Sequence, residues 1–231
     1  MCGRYTLIIN DLGEVESRFI VNRRAALEWQ PRYNIAPTQT LPVVTANPDG
    51  GNALLPMRWG LIPFWSKDPS IGSRLINARA ESMADKPSFR EPLKRRRCLV
   101  PADGYYEWQS GGPGRKIPYR VVTEDGGLFA MAGLWDIWHD QDGRPHHSFS
   151  IVTTEPVDPV RHIHNRMPLI LPKAVEEEWV HADPGTSLDA LKAFVAKIKP
   201  ITNLRAYRVS TTVNSPGNDL EVCVREAAAE V

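Results

Sequence analysis

Short apolar segments, most of them ended by a proline or a glycine-rich turn, run along most of this 231-residue chain. The segments are rich in β-branched and aromatic residues, which is typical of β-strands. We expect strands at 4–9, 41–46, 53–59, 98–101, 104–108, 117–123, 128–134, 148–154, 169–171 and 204–213. Pro42 and Pro56 place two of these strands at a sheet edge or interrupt them. The pattern predicts a mainly antiparallel, barrel-like sheet, in which 98–101 and 104–108 form a hairpin.

Helices are predicted beside this sheet. The segment 11–20 begins with a capping-box spacing, and 77–84 begins with Asn77, a residue that suits a helix N-cap. Two further helices are expected at 173–181 and 187–198, the second with an apolar stripe. The segment 33–38 is expected to be a turn. With no internal repeat or long linker, we expect one α+β domain over residues 1–231.

Composition excludes several classes of protein. Hydrophobic content of 42% and charged content of 24% are ordinary globular values. The chain has no uninterrupted apolar run long enough to span a membrane and no signal peptide, so we expect a cytoplasmic protein without a membrane partner, nucleoid-associated in a bacterium. Three widely spaced cysteines indicate reduced thiols rather than disulfides or a zinc site.

The middle of the chain carries a local positive charge. Residues 58–97 contain ten basic and four acidic residues, a net of +6, whereas the whole chain has a formal charge of +1. The same region begins with Trp59, Phe64 and Trp65, whose rings could form a wall on which a nucleobase stacks. A solvated basic surface and a core aromatic cluster are the plainer interpretations. The segment fits a phosphate-binding face.

Cys2 is a candidate nucleophile. If Met1 is removed, Cys2 carries a free α-amine beside its thiol, and both groups titrate near physiological pH. An amine and a thiol on one residue suit an aldehyde, because the amine forms a Schiff base and the sulfur then closes a thiazolidine ring. A frayed terminus is the plainer interpretation.

Three other polar residues interrupt apolar surroundings: Asn77, Glu107 and His164. A carboxylate between strand aromatics costs free energy unless it is paired with another group or has a function. The histidines, including His146 and His147, lack the spacing of a zinc site, and no phosphate-binding glycine signature is present. We therefore expect no metal and no cofactor.

Six ordered motifs resemble those of the SOS response-associated peptidase (SRAP) family of abasic-site processing proteins. They lie at 2–5, 33–38, 58–63, 77–81, 97–108 and 164–168. The resemblance implies a monomeric DNA-damage protein that captures abasic sites in single-stranded DNA as a covalent thiazolidine crosslink through Cys2. It also implies a peptidase-type removal of Met1 by the protein itself, and lyase activity as a further reaction.

The resemblance also implies roles for individual residues. Asn77 resembles the residue that orients the opened sugar and the Cys2 amine, Glu107 the general acid and base, and His164 a second proton-transfer group. The residues that it implies for DNA binding are Arg4, Pro37, Thr38, Arg58, Phe64, Trp65, Arg79 and Arg166, with Arg4, Arg79 and Arg166 as phosphate clamps.

Two alternatives stay open from the residues. An N-terminal-nucleophile amidohydrolase of the class II glutamine amidotransferase type can also begin Met-Cys-Gly, although it leaves the basic, tryptophan-rich middle unexplained. A non-covalent DNA-binding module with an incidental Cys2 is the second alternative.

Overall fold

The computed structural model describes residues 2–181 and 183–227. Its strands, in chain order, are β1 (Tyr5–Leu7), β2 (Val21–Arg24), β3 (Arg32–Ile35), β4 (Thr40–Ala46), β5 (Asn52–Trp59), β6 (Asn77–Arg79), β7 (Arg97–Ala102), β8 (Gly104–Ser110), β9 (Lys116–Thr123), β10 (Phe129–His139), β11 (Pro145–Thr154), β12 (Met167–Pro168) and β13 (Leu204–Arg208). Its α-helices are α1 (Gly13–Arg18), α2 (Pro87–Arg95), α3 (Lys173–Val180) and α4 (Leu188–Lys197). No helix in the described part of the chain is both long and apolar enough to cross a membrane.

One sheet closes on itself. β4 pairs antiparallel with β5 and β7, and β10 pairs antiparallel with β7 and β11. A short parallel contact between β5 and β11, with Arg58 opposite Ser148 and Trp59 opposite Phe149, completes the ring. The prediction of an α+β fold with a mainly antiparallel, barrel-like sheet is therefore confirmed.

A second sheet, in the order β13-β9-β8-β1-β3, packs beside the barrel. Its contact with the barrel is aromatic: the Tyr5 ring lies edge-on to Trp59 at 5.3 Å, and Trp59 stacks on Phe149 at 6.3 Å. All three rings are fully buried. Because aromatic side chains bury large apolar areas, this contact fixes β1, and with it the preceding Cys2, against the barrel.

Pro42 and Pro56 do not lie on edge strands, because β4 and β5 are both part of the ring. They face each other across the β4–β5 pair. The outer side of β5 pairs with β2 up to Leu54 and with β11 from Arg58, so Pro56 falls in the gap between them. A residue without an N–H is tolerated there because no ladder bond is required of it.

Four other predictions about elements are wrong. Residues 169–171 form no strand, because the strand lies earlier, at β12, and Ile170 makes only an isolated bridge to Met131. The segment 77–84 begins with β6, not with a helix, because Asn77 to Arg79 pair parallel with 151–153 of β11; tertiary pairing overrides the local preference of Asn for a helix cap. The segment 33–38 contains β3, which pairs with β1, before a turn. β7 and β8 form no hairpin, because they belong to different sheets.

Asp103 explains why the chain changes sheets between β7 and β8. Its side chain accepts hydrogen bonds from the Ile8 N–H at 2.7 Å, from the Thr6 hydroxyl and from Arg120 at 3.1 Å. These bonds tie the corner to β1 and β9, so the chain turns away from the barrel. β8 pairs with β9, and β10 with β11, as antiparallel hairpins.

Candidate active site

Cys2 lies at the junction of the two sheets, three residues before β1 begins. β1 is paired on one side with β8 and on the other with β3. The Cys2 side chain is fully buried, and its carbonyl oxygen accepts a hydrogen bond from Asn77 Nδ2 at 2.9 Å. Sγ lies 3.8 Å from the carbonyl oxygen of Arg4. The residue is therefore held from several sides and is not a frayed terminus.

Asn77 reaches Cys2 because β6 runs along β11, with Asn77 opposite Ile151. Its Nδ2 donates to the Cys2 carbonyl oxygen, while its Oδ1 is buried and has no hydrogen-bond partner among the described residues. A buried acceptor without a donor costs free energy, on the order of 1–3 kcal/mol. An acceptor of this kind can receive an N–H or O–H from a bound group.

Glu107 is placed by the β8–β9 hairpin, where it lies opposite Tyr119. The residue is only 4% exposed. Burial disfavours the carboxylate and raises its pKa from 4.5 to about 7. A carboxyl group with this pKa is present in both protonation states near neutral pH, as a general acid and base requires.

His164 lies in the loop before β12, with its Nδ1 4.0 Å from Glu107 Oε2. The backbone N–H of Arg166 donates to the same Nδ1 at 3.0 Å. Burial lowers the pKa of His164. The imidazole is thus favoured in its neutral form, with Nδ1 as an acceptor, beside a carboxyl group that can carry a proton.

The thiol of Cys2 is not poised as a thiolate. Burial, followed by the charge of Glu107, raises the pKa of the Cys2 thiol well above its usual range. The expectation of a partly ionised thiol is therefore wrong for this environment. A nucleophilic sulfur here needs a group that takes its proton, and Glu107 is close enough for its charge to act on that thiol.

Two of the expected phosphate clamps are already engaged with the protein. Arg4 donates to Asn34 Oδ1 at 2.8 Å and to the carbonyl oxygens of Val213 at 2.7 Å and Asn214 at 3.2 Å. Arg4 therefore ties β1 to the C-terminal segment. These bonds occupy donors that a free phosphate clamp would offer to DNA.

Arg166 is engaged more tightly still. Its Nη1 and Nη2 donate to the two oxygens of Glu81 at 2.8 and 3.0 Å, and Nη2 also donates to the Thr153 carbonyl oxygen at 2.6 Å. Since the Arg166 backbone also bonds His164, the Glu81–Arg166 pair supports the loop that carries the imidazole. A bidentate pair of this kind fixes orientation as well as charge.

The remaining expected DNA contacts range from exposed to partly buried. Phe64 and Trp65 are 55% and 48% exposed, an unusual state for large aromatic side chains. Thr38 and Arg79 are exposed, whereas Pro37 and Arg58 are partly buried. The structure thus joins Cys2, Asn77, Glu107 and His164 through direct contacts or electrostatic coupling.

The sequence reasoning missed Glu81. It lies in the motif at 77–81, where an acidic residue within a basic segment was the available signal. Its partner Arg166 is 85 positions away, so the pair could not be identified without the fold. Across residues 2–181 and 183–227, no cluster of three or more His, Cys, Asp or Glu side chains could hold a metal ion.

The model of the SOS response associated peptidase (SRAP) family matches residues 1–216. Abasic site processing protein YoqW of Bacillus subtilis (strain 168) is 40% identical over 223 residues, covering 95% of this chain and 96% of that protein. Abasic site processing protein HMCES of Gallus gallus is 34% identical over 240 residues, covering 87% of this chain and 70% of that protein.

Solved structures agree with the fold. A protein from Bacteroides thetaiotaomicron superposes with a TM-score of 0.84 at 30% sequence identity, covering 98% of this chain and 100% of the other. A phage-related protein from Bordetella bronchiseptica gives a TM-score of 0.69 at 29% identity, covering 90% of this chain and 94% of the other.

Proposed function

The chain belongs to the SOS response associated peptidase family, and from this premise we propose that it processes abasic sites in single-stranded DNA by crosslinking them covalently to Cys2. Relatives from bacteria and vertebrates that are named abasic site processing proteins support the choice of lesion. The observation that carries the proposal is the placement of Asn77 on the Cys2 carbonyl, next to a buried Glu107 with a pKa near 7.

The first requirement is a free α-amine on Cys2. While Met1 is attached, that nitrogen is an amide and cannot form a Schiff base. Met1 lies outside the described residues, so its removal is part of the proposal. We propose that the protein removes Met1 itself, which would account for the peptidase in the family name.

The amine then attacks the aldehyde of the ring-opened sugar. The carbinolamine that forms loses one water to give an iminium, and a proton must reach the departing oxygen. Glu107 supplies this proton in its acid form and recovers it in its basic form. Asn77 Oδ1, buried and unpartnered within the described chain, accepts an N–H or O–H of the reacting group and orients it.

The sulfur closes the ring in the second step. The Cys2 thiol adds to the iminium carbon, its proton passes to Glu107 or His164, and a C–S bond forms to give the five-membered thiazolidine. The raised pKa of the thiol makes this proton transfer necessary, because little thiolate is present beforehand. The whole sequence joins protein and DNA with the loss of one water.

DNA outside the lesion would be held by the exposed surface residues. Phe64 and Trp65 offer faces for base stacking, worth about 1–3 kcal/mol per base, and Arg79 is an exposed cation that can bind phosphate. The exposed rings suit unpaired bases, so single-stranded DNA is the proposed substrate. We also propose that the protein acts as a monomer in the cytoplasm, and that strand cleavage by β-elimination is a side reaction.

A denaturing gel with an abasic single-stranded oligonucleotide tests the proposal. Wild-type protein should form an adduct that survives denaturation without reductant. Cys2→Ser keeps an α-amine but lacks the sulfur, so its adduct should require borohydride trapping. If both proteins bind DNA without any covalent adduct, even after borohydride, the non-covalent binding module is the correct function.

A further inference from the structure

The exposed aromatic pair, Phe64 and Trp65, occupies the centre of a tight turn. The Ser66 N–H donates to the Pro63 carbonyl oxygen at 2.9 Å, so the two aromatic residues are the middle residues of a β-turn. Both rings are exposed. Because burial of apolar area is favourable, a loose turn would fold these rings against the protein. Their exposure therefore requires that the backbone of the turn be fixed.

Three side chains on one face of the β10–β11 hairpin fix this backbone. Asp136 and Ser148 lie opposite each other in the strand pair, and Trp138 lies two residues beyond Asp136, on the same face. They bind alternate residues of the segment that contains the turn: the Ile62 N–H donates to Ser148 Oγ at 2.8 Å, the Phe64 N–H to Asp136 Oδ2 at 2.9 Å, and Trp138 Nε1 to the Ser66 carbonyl oxygen at 2.7 Å. The barrel thus holds both ends of the aromatic pair.

Asp136 is the central member of this row and is fully buried. Besides the Phe64 N–H, its carboxylate accepts hydrogen bonds from the Ile137 N–H at 2.9 Å and from Arg96 Nη1 at 3.0 Å, both on Oδ1. Each carboxylate oxygen therefore faces at least one donor. An amide has a single oxygen, so asparagine at this position would turn its NH₂ group toward Phe64 or toward the other two donors. A buried donor that faces another donor costs free energy.

We propose that Asp136 is a positioning residue for DNA recognition, which fixes the turn so that Phe64 and Trp65 stack on unpaired bases. The inference rests on the proposed function, in which these two rings contact single-stranded DNA. It adds that the rings are held in place before DNA arrives, so binding does not have to order the turn. Bases of an intact duplex are already stacked on one another, so the fixed rings favour single strands.

Equilibrium binding of a fluorescent single-stranded oligonucleotide with a tetrahydrofuran abasic analogue tests the role of Asp136. The analogue has no aldehyde, so covalent chemistry does not enter. Replacing both Phe64 and Trp65 with alanine should weaken binding at least about tenfold, and Asp136→Asn alone should weaken it about fivefold. In the variant that lacks both rings, Asp136→Asn should have no further effect, because the groups that it positions are absent.

Two controls separate positioning from general damage to the fold. Binding of a fully paired duplex of the same length should be unchanged by Asp136→Asn. Glu176→Gln breaks the buried pair between Arg18 and Glu176, which joins α1 to α3, and should lower stability without changing affinity for the single strand. An equal loss of affinity for the single strand and the duplex in Asp136→Asn would overturn the proposal.

A second variant covers the case in which Asp136→Asn does not fold. Trp138→Phe keeps a ring and removes only the N–H that binds the Ser66 carbonyl oxygen. It should weaken single-strand binding several-fold when Phe64 and Trp65 are present and should have no effect when both are alanine. A penalty that is the same with and without the two rings would overturn the proposal, as would no penalty at all.

Crosslinking of a natural abasic site, measured on the same proteins, separates this inference from the proposed function. If wild type shows the coupling between Asp136 and the two rings but forms no adduct, the crosslinking function fails and the positioning role stands. If wild type forms the adduct while Asp136 and the rings act independently, the function stands and the positioning role fails. Wild type that binds no single-stranded DNA would contradict both.

Discussion

Replacement of Glu107 by glutamine should separate stability from activity in a pH-dependent way. The residue is 4% exposed, and burial raises its pKa from 4.5 to about 7. In the folded protein the proton is therefore retained over a pH range in which the unfolded chain has lost it. Stability contributed by the protonated form is fully present below pH 4.5 and is lost as pH rises through about 7.

The size of the effect follows from the shift. One pKa unit corresponds to 1.36 kcal/mol, so a rise from 4.5 to about 7 corresponds to about 3 kcal/mol of stability lost by wild type at pH 8 relative to pH 4. Glutamine has no charge to bury. The free energy of unfolding of Glu107→Gln minus that of wild type should therefore be larger at pH 8 than at pH 4, by about 3 kcal/mol.

Chemical denaturation of both proteins between pH 4 and 8 measures this difference, and Glu28→Gln, at an exposed glutamate, is the control. Crosslinking of abasic DNA should fall by about 10²–10⁴-fold in Glu107→Gln, the usual contribution of a general acid or base. Wild-type and Glu107→Gln stabilities that run parallel across this pH range would refute the burial argument. Unchanged crosslinking would refute the catalytic assignment.

Three further predictions concern the residues around this site. Asn77→Ala should slow crosslinking at least tenfold, because it removes both the hydrogen bond to the Cys2 carbonyl oxygen and the unpartnered acceptor Oδ1. The free energy of unfolding should fall by only about 1 kcal/mol. A large loss of stability would mark the residue as structural. Glu81→Gln should slow crosslinking several-fold and shift its pH profile, because Arg166 then supports His164 less firmly; faster crosslinking with tighter DNA binding would show instead that Glu81 only masks a phosphate clamp. Arg4→Gln should lower the free energy of unfolding by about 2 kcal/mol, since its donors are used on Asn34 and residues 213–214; an unchanged melting temperature with weakened DNA binding would restore the clamp assignment.

The sequence predicted most strands of the barrel because each strand is itself an apolar, β-branched segment. Trp59, for example, lies in a predicted strand and is fully buried in the observed one. What the local pattern could not predict is pairing between distant segments. Asn77 looked like a helix cap until its contact with β11 was known, because the bonds that make 77–79 a strand come from residues more than 70 positions later.

The features of the candidate site likewise divide into those that the local sequence could predict and those that depend on the fold. Cys2 and Glu107 were recognisable because a nucleophile near the terminus and a carboxylate among aromatics are locally anomalous. The resemblance to the family assigned Arg4 and Arg166 to phosphate, but their partners lie far away in sequence, and those partners occupy their donors. Burial, which sets the pKa of Glu107 and of the Cys2 thiol, is a property of the fold and not of the segment.

Intact mass of the protein after incubation with a uracil-excised single-stranded oligonucleotide tests the central claim most directly. The account predicts one species whose mass is that of the chain without Met1 plus the oligonucleotide minus one water, formed without reductant and mapped by peptide analysis to Cys2. An adduct at any other residue, or an unmodified protein mass under conditions in which the oligonucleotide is bound, would contradict it.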